Sequence, residues 1–147
     1  MSIPCVAVVA AAGKGVRLHP RSTRIPKVMI DVGGTPLLTR HLERLRDELG
    51  ITKIYIIIGY LGDHIRDAYG DGSSFGLVIR YIDNPQVERG LGTALWVLER
   101  HVTEPFVLVL GDELYLRSNH RELTDISDPY VAICGVYPTE DLELIRK

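Results

Sequence analysis

The chain has 147 residues, 46% of them hydrophobic and 24% charged, enough for one domain with a real core and no disulfide staples. A formal charge of −2 supplies no basic field to grip nucleic acid, and the ordinary globular composition excludes a disordered or collagen-like chain. The apolar run from Cys5 to Ala12 is far short of the roughly 20 residues a membrane span needs, and it lacks the basic lead of a signal peptide. A cytoplasmic protein with no membrane partner is therefore expected. Cys5 and Cys134 both fall in apolar, strand-like runs and read as buried thiols of a reducing compartment.

Taken in chain order, the pattern alternates. Cys5 to Ala10 is a short valine-rich run that reads as a strand buried on both faces. Gly13 to Lys27 is a polar, basic loop broken by Pro20 and Pro26. Thr35-Pro36 predicts a helix start, with the hydroxyl as N-cap and proline at the first helical position. Leu38, His41, Leu42, Leu45 and Leu49 follow at helical spacing, and Gly50 stands where a left-handed turn ends the helix. Lys53 to Ile58 predicts a second buried strand, Asp63 to Tyr69 a short helix, and Leu77 to Ile82 a half-buried strand. Thr93 to Val102 predicts a helix with Trp96 in the core, and Phe106 to Leu110 a third buried strand ending at Gly111-Asp112. Tyr130 to Tyr137 is a further apolar run, and Asp141 to Arg146 begins another helix. There is no internal repeat, low-complexity segment or linker, so residues 1–147 read as one domain.

Strands alternating with helices imply right-handed crossovers and a mostly parallel sheet covered on both faces, a Rossmann-like three-layer α/β/α arrangement. Ligands of such sheets bind beyond the carboxyl ends of the strands. The Gly13 loop and Asp112 both follow strands, so both are expected on that rim.

Three segments carry candidate chemistry. In the string Ala11-Ala12-Gly13-Lys14-Gly15-Val16-Arg17-Leu18-His19-Pro20, two glycines let backbone amides turn toward an anion. Lys14, Arg17, Arg21, Arg24 and Lys27 crowd one loop without an acidic residue, and an anion such as a triphosphate would relieve their repulsion; a solvated basic loop is the alternative. The loop is neither a Walker A motif, because Gly15 follows Lys14, nor a dinucleotide fingerprint, because Leu18 stands where a small residue is required. Asp112, directly after a buried strand and a glycine, suits a divalent ion and equally a turn. Gly90-Leu91-Gly92-Thr93-Ala94 either admits close approach by a base or sugar or simply caps a helix. His41 reads as the packed edge of a leucine face. His64, His101 and His120 lack the spacing of a zinc site, and no nucleophile elbow is present.

In order, AAGKGVRLHP, Pro26-Lys27, Gly92-Thr93-Ala94 and VLVLGD ending at Asp112 resemble the sugar-1-phosphate nucleotidylyltransferases, which make nucleoside-diphosphate sugars. The family loop reads Gly-x-Gly-Thr-Arg-Leu-x-Pro followed by Pro-Lys, and Val16 is the single departure. The resemblance implies transfer of a nucleoside monophosphate from an NTP to a sugar-1-phosphate, with Mg²⁺ as cofactor. It implies that Gly13, Lys14, Gly15 and Val16 wrap the triphosphate with backbone amides. Arg17 would neutralise the departing β and γ phosphates, and Lys27 would contact the α-phosphate and the incoming sugar phosphate. Asp112 would hold Mg²⁺. Ala11 and Ala12 would present backbone to the base, Gly92 and Thr93 would lie beside it, and Gln86 is the nearest candidate for the family's base-reading glutamine, one residue out of register. The family's second metal-binding aspartate and sugar-contacting residues lie beyond the equivalent of residue 147, so the chain reads as the N-terminal portion of a longer catalytic domain. A non-catalytic nucleotide-binding or regulatory module stays open, as do a cytidylyltransferase acting on an alcohol phosphate such as phosphocholine, and a homo-oligomer.

Overall fold

The computed structural model describes residues 4–18, 20–116 and 119–124. The apolar runs of the sequence become four strands: β1 (Val6–Ala10), β2 (Lys53–Ile58), β3 (Val78–Asp83) and β4 (Phe106–Leu110). They form one sheet in the order β3-β2-β1-β4, with every pairing parallel. β1 is central, and Val6, Val8 and Val9 are fully buried, as a strand covered on both faces requires. The ladder starts at Val6, opposite Lys53 and Phe106. Cys5 therefore precedes it and is exposed, contrary to the buried thiol expected from the apolar run. Cys134, the run Tyr130 to Tyr137 and the helix expected from Asp141 lie outside the described residues.

Among the described residues four α-helices accompany the strands: α1 (Leu37–Asp47), α2 (Gly62–Tyr69), α3 (Leu91–Trp96) and α4 (His120–Thr124). The helical leucines of α1, with Ile65 and Tyr69 of α2, pack on the face formed by Ala7, Val9, Ile54, Ile56 and Ile79. Ala94, Leu98 and Val102 cover the opposite face at Val6, Val8, Tyr55 and Ile57. The architecture is the three-layer α/β/α arrangement expected. Leu38 and Leu42 are fully buried, and burial of such a side chain is worth about 1.5–3 kcal/mol.

Three helix starts differ from expectation, α2 by a single residue, at Gly62 rather than Asp63. α1 begins at Leu37, with Pro36 in extended conformation (ψ 141) as its N-cap and no side-chain capping bond. Thr35 does not cap because it lies one residue before the cap position, in a tight turn where its carbonyl accepts the Val32 N–H and an Asp31–Pro36 bridge closes; the Leu37 N–H donates to the Ile30 carbonyl. α3 begins at Leu91 and ends at Trp96, beyond which bonds such as His101 N–H to Leu98 carbonyl tighten the chain into turns. The buried positions of this segment are Ala94, Leu98 and Val102, so Trp96, about 200° round from Ala94 on a helical wheel, points outward and is 66% exposed. It is not a core residue. Among the described residues no helix is long and apolar enough to cross a membrane.

Candidate functional site

Because all the strands are parallel, their carboxyl ends share one edge, and two connections leave it side by side from β1 and β4. The ladder extends one residue past each strand: the Ala11 N–H donates to the Ile57 carbonyl and the Gly111 N–H to the Ala10 carbonyl. Gly111 can be nothing larger, since a Cβ there would stand 2.7 Å from the Ala10 carbonyl oxygen and 2.8 Å from a Val28 methyl.

After Ala11 and Ala12, both buried, the loop surfaces: Gly13, Lys14, Val16 and Arg17 are exposed. Gly15 has φ +61, and a Cβ on it would press against the Lys27 side chain at 3.0 Å. The chain curls back through turns at Val16–Leu18 and Arg21–Thr23, pinned by fully buried Ser22, whose hydroxyl donates to the Gly15 carbonyl at 2.7 Å. That return brings Lys27 to the rim, where its Nζ pairs with the Asp112 carboxylate, 85 positions away in sequence. Loop and strand end thus meet, as their shared rim predicts. Arg17 and Arg24 make no ion pair among the described residues and stand in solvent on the same loop. No group of three or more His, Cys, Asp or Glu among the described residues could enclose a metal ion; Asp112 is a lone, exposed carboxylate.

An open cleft of about 430 Å³ lies beside the loop, walled by Lys14, Gly59, Tyr60, Asn84, Val87 and Glu88. Lys14 reaches Glu88, and that hydrogen-bonded pairing raises the Lys14 pKa above its ordinary value. Asn84, missed by sequence reasoning as a site residue, is buried; its side-chain oxygen accepts the Gln86 N–H at 3.0 Å. A polar residue held in the core at a strand end was the available signal. Gln86 is exposed on the turn above, and Gly92 and Thr93 sit in the first turn of α3. None of the three is on the cleft wall.

Beneath the Asp112 turn lies an aromatic layer that the sequence does not announce. His41 on α1, 3% exposed, meets the Tyr115 ring edge-on at 5.6 Å, and Tyr115 meets His120 at 4.7 Å. The Arg44 Nη1 donates to the Tyr115 carbonyl at 2.7 Å. Burial pushes the His41 pKa below its ordinary value, against the opposing pull of the Gly111 and Glu113 backbone. Burial, with the Glu113 carboxylate second, pushes the Tyr115 phenol up.

A family model, nucleotidyl transferase, matches residues 6–143. The chain belongs to the nucleotidyl transferase family. Over 109 residues it is 40% identical to the UTP–glucose-1-phosphate uridylyltransferase AglF of Haloferax volcanii, covering 74% of this chain and 44% of that protein. It is also 40% identical over 112 residues to the N-acetylmuramate alpha-1-phosphate uridylyltransferase of Neisseria meningitidis serogroup B, covering 74% and 47% respectively. A crystal structure assigned as a glucose-1-phosphate thymidylyltransferase from Bacillus anthracis superposes with a TM-score of 0.67 at 28% identity, over 73% of this chain and 44% of that one. The chain thus spans less than half the length of the curated relatives it matches.

Proposed function

We propose that this chain carries the nucleotide-binding part of an enzyme that transfers a nucleoside monophosphate from an NTP to a sugar-1-phosphate and releases pyrophosphate. The observation that carries the reading is the meeting of Lys27 with Asp112 beneath a glycine loop whose Arg17 has no anionic partner among the described residues. Such a rim offers fixed cations to a polyanion and one carboxylate to a cation. The names of the relatives, sugar-phosphate uridylyl and thymidylyl transferases, support the same reaction class.

The chemistry asks little of a protein beyond charge and alignment. A sugar-phosphate oxygen, already ionised near neutral pH, attacks the α-phosphorus in line, and pyrophosphate departs. Backbone amides of Gly13 to Val16 hold the triphosphate, Arg17 balances the charge that gathers on the leaving phosphates, and Lys27 exchanges the Asp112 carboxylate for the α-phosphate and incoming sugar phosphate. Ala11 and Ala12 face their backbone toward the base, which Gln86, Gly92 and Thr93 border. Asp112 fits Mg²⁺, a cation commonly held by one or two carboxylates together with substrate phosphates and water rather than by an all-protein cage; bound there it would neutralise phosphate charge. NTP and sugar phosphate as substrates suit a cytoplasmic location.

The test is titration of the chain with UTP, dTTP, CTP, GTP and ATP, followed by pyrophosphate release with Mg²⁺ and glucose-1-phosphate. Arg17→Ala should weaken nucleotide binding about 10- to 100-fold, the worth of charge-assisted hydrogen bonds of roughly 1.5–3 kcal/mol. Parent-like binding by Arg17→Ala overturns the phosphate-loop assignment. Binding without Asp112-dependent release points to a module that holds nucleotide but performs no transfer.

A further inference from the structure

Two cations of the glycine loop already hold carboxylates. Lys27 is paired with Asp112, and Lys14 with Glu88. The second pair joins residues 74 positions apart in sequence and ties the loop to the turn Val87–Arg89. Both of its members line the open cleft.

Glu88 owes its place to the fold and not to the lysine. Its turn leaves buried Asn84, whose side-chain oxygen accepts the Gln86 N–H, and the Arg89 N–H closes it on the Gln86 carbonyl at 3.0 Å. Val87 seats the turn on the end of β2, in the space Gly59 leaves by having no side chain. A Cβ on Gly59 would stand 2.3 Å from a Val87 methyl. Gly90 ends the turn at φ 79 and ψ −169, a conformation essentially restricted to glycine. The Glu88 side chain is 71% exposed and that of Lys14 43%, so a ligand entering the cleft can reach either.

We propose that Glu88 is an internal competitor for nucleotide: its carboxylate holds the Lys14 ammonium in the empty protein and is displaced by the incoming triphosphate. The inference rests on the proposed function, in which Lys14 belongs to the triphosphate loop. A carboxylate and a phosphate are alternative partners for one ammonium, and the more highly charged triphosphate prevails. Exchange is easy because an exposed ion pair is weak and because Lys14 lies between Gly13 and Gly15 on the loop. The pair therefore lowers affinity, modestly, for every ligand that recruits Lys14. A site that has to discharge pyrophosphate benefits from a resident anion ready to retake the cation.

The experiment is a double-substitution cycle with Glu88→Gln, Lys14→Met and the two combined. UTP, dTTP, CTP, GTP and ATP with Mg²⁺, and pyrophosphate alone, are titrated calorimetrically, and the tightest-binding nucleotide is carried through the cycle. Both side chains are exposed, so all variants should melt like the parent. Glu88→Gln should bind nucleotide and pyrophosphate about two- to fivefold more tightly, the gain expected when an exposed ion pair no longer has to be broken. Glu88→Ala, which cannot hold Lys14 even through an amide, should reproduce that gain. In the Lys14→Met background the gain should vanish, because no ammonium is left to contest. Unchanged affinity in both Glu88 variants overturns the competition. So does an equal gain with and without Lys14, which would make Glu88 a distant negative charge and nothing more. Either result leaves the proposed function standing. If Lys14→Met costs nothing in the Glu88→Gln background, no phosphate reaches Lys14, and the competition falls while nucleotide binding stands. Failure of the parent to bind any of the five nucleotides overturns the proposed function and this inference with it.

Discussion

The loop after β1 is pinned by one buried hydroxyl, Ser22 to Gly15, with Lys14 and Lys27 paired to Glu88 and Asp112 and with Arg17 and Arg24 standing in solvent. The turn after β4, which it faces, packs at Gly111 against Ala10 and Val28, and the chain just beyond it is held at Tyr115 by Arg44 and the His41 ring. The difference teaches where each half of the rim obtains its geometry. The turn is shaped by the fold before any ligand arrives, whereas Arg17 and Arg24 of the loop are left to be ordered by the anion they meet. Preorganising the carboxylate while leaving the cations adaptable suits a site that must accept a bulky polyanion and then release one.

The comparison breaks most sharply at Gly111. Gly111→Ala should lower stability by about 1–3 kcal/mol, because the new methyl has only backbone and a packed valine to push against; a parent-like denaturation midpoint would mean the turn is looser than described. On the other side of the rim, Ser22→Ala removes one of the two donors to the Gly15 carbonyl, leaving the Leu18 N–H, and should cost about 1 kcal/mol. Its effect on nucleotide affinity should exceed its effect on melting temperature, since the loop shapes the site more than the core. On the gripped side, acid should act through the histidines. His41 has a folded pKa below the ordinary 6.5, so the unfolded chain takes up its proton first, and stability, constant above pH 6.5, falls as pH drops below it. His120, lowered by burial as well, adds in the same direction, while Arg44 repels and Glu113 favours the His41 cation. His41→Leu should flatten that decline in pH-resolved melts. The smallest effect belongs to the outward cation: Arg17→Ala should change stability by no more than about 0.5 kcal/mol, and a larger drop would show that the loop is not waiting for an anion.

Much of the frame was legible in sequence because β1, β2 and β4 are continuous apolar runs between turn signals, the pattern of strands in a doubly covered sheet, and β3 alternates as a half-buried strand does. β2 and β4 fall where expected, and β3 is displaced by one residue. The meeting of Lys27 and Asp112 followed from both leaving the same edge of a parallel sheet. Local signals misled where tertiary contacts compete with them. Thr35 has the chemistry of an N-cap, yet its turn commits it to Val32; Trp96 has helical neighbours in the core, yet faces the other way; Cys5 continues an apolar run, yet precedes the ladder. The aromatic layer beneath Asp112 was not legible at all, because it depends on residues 113–116 folding back over α1, and nothing in their order specifies that docking.

The strand order carries a kinetic consequence. β1 is the first strand made, yet one of its two neighbours, β4, begins only at Phe106. A nascent chain can align β1, β2 and β3 early, with one flank of the central strand waiting for a distant segment, the kind of long-range pairing that slows folding. The turn bearing Asp112 arrives with β4. The rim therefore acquires its carboxylate well after its basic loop, and nascent chains that have not yet added β4 carry that loop without its counterpart.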